Sequence, residues 1–276
     1  MKKNLIIIIS IVLLVACSQV PLTDRNRFAP LPSSQMLALG NQSYDAVLDS
    51  SQLSDNQRWE NMITEVGNNM VYYIEGYFRE KGEEETIEDF EWEFNLLESD
   101  QVNAWCMPGG KVAFYEGIMP ICRDKNGVAV VMGHEIAHAI AQHSNERMGQ
   151  QMITQLGGLS LAVAMSQKPK ATQNLAMTAF GLGTQLAYVL PYSRKHESEA
   201  DEMGLYFMAM AGYDVSEAPE FWKRMAANAK GQAPPEFLST HPSHNTRISH
   251  LNKIIPKAEK FARKNEYVEA ISSNSR

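Results

Sequence analysis

The stretch from Val128 to His143 decides most of what this chain can become. It is apolar almost throughout, as expected of a helix buried on every side, yet it carries two histidines and a glutamate in the run Gly133-His134-Glu135-Ile136-Ala137-His138-Ala139-Ile140. A polar side chain buried without a partner costs roughly 2–7 kcal/mol, so a fold built on this helix must bring further polar groups, or a cation, to these three. Residues four apart lie on one helix face, one turn above the other. His134 and His138 therefore aim two imidazoles at one point, with Glu135 about a quarter-turn aside. Two neutral nitrogen donors beside a carboxylate are what hydrolytic zinc chemistry requires, and the spacing predicts one Zn2+ per chain.

A catalytic zinc takes a third protein ligand and keeps a fourth position open. The segment "SRKHESEADEMG" offers His196, Glu197, Glu199, Asp201 and Glu202, on a helix expected from Tyr192 to Ala211 and ended by Gly212. Glu197 and Asp201 share a face there. One of them can bind the metal while the other, a turn away, holds the outer nitrogen of a ligand histidine. Glu199 and Glu202 are expected to point to solvent. Spacing alone leaves both Glu197 and His196 open as the third ligand.

The N-terminus reads as an export signal. Lys2 and Lys3 precede an apolar run from Leu5 to Ala16, too short to cross a bilayer comfortably. Leu14-Val15-Ala16-Cys17 has the layout of a bacterial lipobox, so residues 1–16 are expected to be removed and Cys17 to be lipidated, which gives the chain a membrane anchor. Residues 17–34, with Pro21, Pro30 and Pro32, are expected to form an extended tether, and residues 35–276 the folded domain. In an exported chain Cys106 and Cys122 are a candidate disulfide. The composition, 44% apolar and 21% charged, suits a globular core, and a net charge of −7 argues against a nucleic-acid partner.

Helical spacing over 35–80 (Trp59, Met62, Ile63, Val66, Met70) gives way to period-two alternation at Trp92, Phe94 and Leu96. A strand around Val102–Cys106, the turn Pro108-Gly109-Gly110 and a strand Lys111–Tyr115 complete a small antiparallel sheet beside the His134 helix. The fold class is therefore α+β, mainly helical. The stretch Val102–Trp105 is the expected sheet edge to which an extended peptide would add. Asp124 to Gly127 breaks the chain before the metal helix, and His143 should end that helix near Glu146 and Arg147. Met152–Met165, with Gly157-Gly158 inside it, reads as a core helix, a flap or a membrane-touching segment, too short to span. A helix from Thr172 to Tyr188 and a last amphipathic helix after Pro242 follow.

The pattern His134-Glu135-x-x-His138, followed by Glu197-x-x-Ala200-Asp201, resembles the zinc metallopeptidases of family 48, the gluzincins. "NAWCMPGGK" at Asn103–Lys111, Ser193-Arg194 and "STHP" at Ser239–Pro242 add to it. The likeness covers roughly Tyr44 to Leu251 and is greatest to the single-domain periplasmic lipoprotein members. The helical-repeat domain and the transmembrane helices of other members have no counterpart. The resemblance implies a zincin-type domain with Glu197 as third ligand, Asp201 behind a ligand histidine and Glu135 as general base. Arg194 and His241 would stabilise negative charge, although an ion pair to a helix carboxylate explains Arg194 equally well. Alternatively His241 would fill the fourth position and keep the enzyme latent. It implies protein or peptide substrates in the bacterial envelope, on the periplasmic side, with outer-membrane assembly machinery as a partner. Ser18 favours the outer membrane over the inner. The competing reading is a chaperone-like assembly factor with a latent zinc site, against which Glu135 argues, because a purely structural site has no use for a base.

Overall fold

The computed structural model describes residues 17–228, 235–241 and 246–264, with only the backbone of Cys17. The signal segment, Pro242 and His244 lie outside the described residues. The chain divides into two compact units, one of residues 1–32 and 142–196, the other of 33–141 and 197–276.

The larger unit holds the metal helix. Helix α1 (Ser33–Ser50) and helix α2 (Gln57–Lys81) open it. Asn56 caps α2 by accepting from Trp59 N–H, and Gly82 closes it in the left-handed region. The α2 stripe Ile63, Val66, Met70, Ile74 and Phe78 is buried, following the 3.6-residue period. Strands β3 (Glu93–Leu97), β4 (Ala104–Met107) and β5 (Lys111–Tyr115) form a sheet in the order β3-β5-β4.

This sheet is mixed rather than wholly antiparallel: β5 pairs antiparallel with β4 but parallel with β3. The reason lies in β5, whose Val112, Ala113 and Phe114 are all fully buried. A strand apolar on both faces takes the centre of a sheet, and the tight turn after β4 then aligns β5 with β3. β4 is left as an edge, as expected. Short α3 (Met119–Cys122) leads to the metal helix α4 (Lys125–Ile140), where the Asp124 side chain accepts from Asn126 and Gly127 N–H. Every α4 residue from Gly127 to Ile140 is buried.

In the smaller unit the expected extended tether is folded instead. Strand β1 (Cys17–Gln19) pairs antiparallel with β2 (Asn26–Phe28), and Val20 is fully buried. Pro21 lies in the connection between the two strands and Pro30 and Pro32 follow β2, all outside the strand pairing, where a missing N–H costs nothing. Helix α5 (His143–Met165) and helix α6 (Lys170–Thr184) form a second, helical hairpin. A π-helical turn (Gln185–Val189) joins α6 to α7 (Leu190–Met210) without the break expected after Tyr188. Pro191 explains the wide turn, since its ring displaces the carbonyl four residues back. Past Glu197, α7 counts with the larger unit, which also contains α8 (Glu217–Asn228), α9 (Glu236–Thr240) and α10 (Arg247–Lys264). No described helix is long and apolar enough to cross a membrane.

Candidate metal centre

Two glycines bring the site together. A Cβ on Gly133 of α4 would lie 2.9 Å from the carbonyl oxygen of Gly204 on α7, and one on Gly204 would lie 3.0 Å from Gly133 C. The helices therefore cross backbone to backbone, which places His134, next to Gly133, against Glu197 and Asp201, two turns and one turn before Gly204.

His134, His138, Glu197 and His241 are all buried and point one donor atom each at a common centre. His134 Nε2 lies 3.1 Å from His138 Nε2, 3.2 Å from His241 Nδ1 and 3.3 Å from Glu197 Oε2. Glu197 Oε2 lies 3.2 Å from His241 Nδ1, and its Oε1 lies 3.6 Å from His138 Nε2. Ligands about 2.0–2.1 Å from a tetrahedral zinc stand about 3.4 Å apart, close to these five separations, with Glu197 offering one oxygen to His134 and His241 and the other to His138. The donor set fits the metal.

The surrounding charges set the protonation states. His134 Nδ1 lies 3.1 Å from Asp201 Oδ1; with the Nδ1 proton donated there, Nε2 turns its lone pair to the centre. Burial would lower the His134 pKa, but Asp201 and Glu197 outweigh it and raise it to about 9. Burial would likewise raise Glu197, yet His138, His134 and His241 hold it far below the carboxylate range. The pocket thus favours positive charge at its centre. Arg247 ties the base of the site: its Nη2 donates to Asp201 Oδ1 at 2.6 Å, its Nη1 to the His241 carbonyl at 3.4 Å, and its guanidinium lies 3.4 Å from the Trp222 ring centroid.

Glu135, 3% exposed, faces the far side of His241: Oε1 lies 3.5 Å from His241 Nε2. The His241 ring therefore stands between the donor cluster and the candidate base. It is carried by α9, whose Phe237 packs on Trp222 with ring centroids 5.6 Å apart and on His241 at 4.8 Å. Phe237 N–H also donates to Val102 O at 3.0 Å, at the start of the β4 edge.

Several expectations need correction. Arg194 is an exposed residue of the smaller unit, and the guanidinium inside the cluster belongs to Arg247, which sequence reasoning missed. Glu199 is buried and Glu202 accepts from the Tyr206 hydroxyl, so neither simply faces solvent. Cys106 and Cys122 are free thiols, not a disulfide. Cys106 Sγ points to Met107 O on β4, Cys122 is packed at the end of α3, and burial raises both thiol pKa values. His143 begins α5 instead of ending α4, and in the smaller unit it stacks on His196 with centroids 4.2 Å apart. His196 Nε2 meets Glu146 Oε2 at 3.0 Å. This trio has ligand-like spacing, but Arg25 holds both Glu146 oxygens, and a metal ion there would sit against a fixed positive charge.

The model of Peptidase family M48 matches residues 74–255. The mitochondrial metalloendopeptidase OMA1 of Saccharomyces cerevisiae is 30% identical over 249 residues, 87% of this chain and 70% of that protein. Human OMA1 is 30% identical over 251 residues, 87% of this chain but 46% of its own length. The Beta-barrel assembly-enhancing protease of Escherichia coli is 29% identical over 164 residues, 56% of this chain and 33% of that protein. With its helical zincin-like domain and its cluster of three histidines and Glu197, the chain belongs to the M48 family of metallopeptidases.

Proposed function

We propose that this chain is a zinc endopeptidase in which His134, His138 and Glu197 hold the metal, Glu135 is the general base and Asp201 orients His134. The observation that carries this reading is the convergence of four buried donor side chains within ligand distance of one centre. Bound zinc supplies Lewis-acid chemistry, polarising the scissile carbonyl and bringing a water's pKa toward about 7. Glu135 takes the attacking water's proton and delivers it to the leaving amine. Asp201, held by Arg247, keeps the His134 proton on Nδ1. The β4 edge receives the substrate as an added strand once the contact of Phe237 with Val102 gives way, and His241 fills the fourth position in the resting enzyme.

Metal analysis tests the ligand set. The purified protein is expected to carry about one zinc per chain, the count expected for a mononuclear site, and His134→Ala and Glu197→Ala to lose it. A fully loaded Glu197→Ala protein would assign the third ligand elsewhere.

The biological setting we propose is the bacterial envelope, with the mature chain anchored through Cys17 and cutting misfolded or misassembled proteins on the periplasmic side of the outer membrane. The lipobox supports the anchor, and the name of the β-barrel assembly-enhancing relative supports the setting and a role beside assembly machinery. Cys17→Ser is expected to release the protein from the membrane fraction or to leave it uncleaved. Unchanged fractionation and mass would replace the lipid with an ordinary anchor. A second reading, an assembly factor whose site is seldom active, draws on the same His241 contact and is separated by Glu135→Gln.

A further inference from the structure

From residue 148 to residue 193 the chain has two charged side chains, Lys168 and Lys170, and no carboxylate, although the whole chain carries 32 Asp and Glu. This stretch takes in the α5–α6 hairpin beyond the first turn of α5, which holds Glu146 and Arg147, and runs on through the π turn into α7. Both lysines are exposed at the hairpin's turn. The two helices already pack on each other: a Cβ on Gly157 would lie 2.9 Å from the Phe180 ring. The large apolar residues point elsewhere. Leu156, Leu159 and Val163 form a helical stripe on α5 and are 63%, 64% and 75% exposed; Leu175, Leu182 and Leu186 do the same along α6 and the π turn at 71%, 60% and 66%. Each of the six is more than half exposed, and contiguous apolar patches beyond a few hundred Å² are rare on soluble monomers and mark interaction sites.

We propose that the α5–α6 hairpin lies in the interface of an anionic lipid bilayer, its leucine stripes among the acyl chains and Lys168 and Lys170 against lipid phosphates. A protein groove recruiting this hairpin would place no such ban on Asp and Glu; a negatively charged surface does. Since no described helix is fit to cross a membrane, the hairpin lies along the surface instead of spanning it. The root of the hairpin points the same way: Phe28 and Pro30 close on Gly149 of α5, and Cys17 is the strand partner of Phe28. An acyl group on Cys17 would therefore enter the bilayer at that root. Only this last support rests on the lipidation proposed above.

The test uses the full mature chain with Cys17→Ser, so failure of lipidation cannot imitate failure of the hairpin. It is mixed with phosphatidylethanolamine vesicles containing about a quarter phosphatidylglycerol, or with phosphatidylcholine vesicles, and floated on a density gradient. Flotation is expected with the anionic vesicles, about tenfold weaker or less with the neutral ones. The pair Lys168→Glu and Lys170→Glu should weaken it by a similar factor. The triple variant Leu156→Glu, Leu159→Glu, Val163→Glu should abolish it while circular dichroism and zinc content stay unchanged; these side chains face outward, so folding does not depend on them. Absence of flotation by the parent, or undiminished flotation of the triple variant, overturns the proposal. So does a parent that never floats but elutes as a dimer which the triple variant dissolves, because the stripe then covers a second copy. A triple variant that floats normally but cuts casein more slowly would give the stripe to substrate instead.

Discussion

Glu135→Gln is expected to keep its zinc and its fold while losing two to four powers of ten in turnover, the usual worth of a positioned general base. At 1.36 kcal/mol per power of ten, that is about 3–5 kcal/mol of barrier. The amide has the shape of the carboxylate and cannot take a proton from water at neutral pH. Glu135 follows His134 on a helix buried on every side, so its backbone is fixed by packing that the substitution does not touch. Its carboxylate faces His241 instead of the His134–His138–Glu197 donors, so the metal is expected to remain. Turnover near wild type would sink the mechanism, and loss of zinc would make Glu135 a ligand.

The metal helix could be read from sequence because burial and chemistry disagree there: two imidazoles and a carboxylate in a helix without a solvent face need a common partner. The third ligand could not be ranked by spacing. His196 and Glu197 are adjacent, and only the Gly133–Gly204 crossing decides which of them meets His134. Arg247 was invisible for a similar reason. A lone arginine shows no period, and its role comes from Asp201 and Trp222, 46 and 25 residues away in sequence. The prolines around residues 18–32 suggested a tether, yet three-residue strands are too short to leave an alternating pattern, and Val20 closes a hairpin there. Apolar content likewise could not distinguish core from surface for Met152–Met165, because a leucine looks the same whether protein or lipid is to cover it. For the cysteines, compartment suggested a bridge, and position decided against it.

His241→Ala is expected to raise proteolysis of casein, and self-cleavage, with zinc kept at one per chain. The His241 ring has Nδ1 among the metal-facing donors and Nε2 toward Glu135, so it stands where an attacking water would have to stand between metal and base. A site blocked in this way works only in the fraction of molecules whose ring has swung out, and activity falls by that fraction. If the ring is in place about 90–99% of the time, removing it raises turnover about ten- to a hundredfold. The same short helix also occupies the sheet edge through Phe237 N–H and the Val102 carbonyl, so the move that frees the water position frees the edge where a peptide would pair. Strand addition by a substrate would then compete directly with the resting contact, and the enzyme would open to extended chains in preference to folded ones. The opposite sign has a different cause. If His241 instead donates to the developing oxyanion, the alanine variant loses about a hundredfold or more while keeping its zinc, and the imidazole becomes part of the catalytic machinery instead of its restraint.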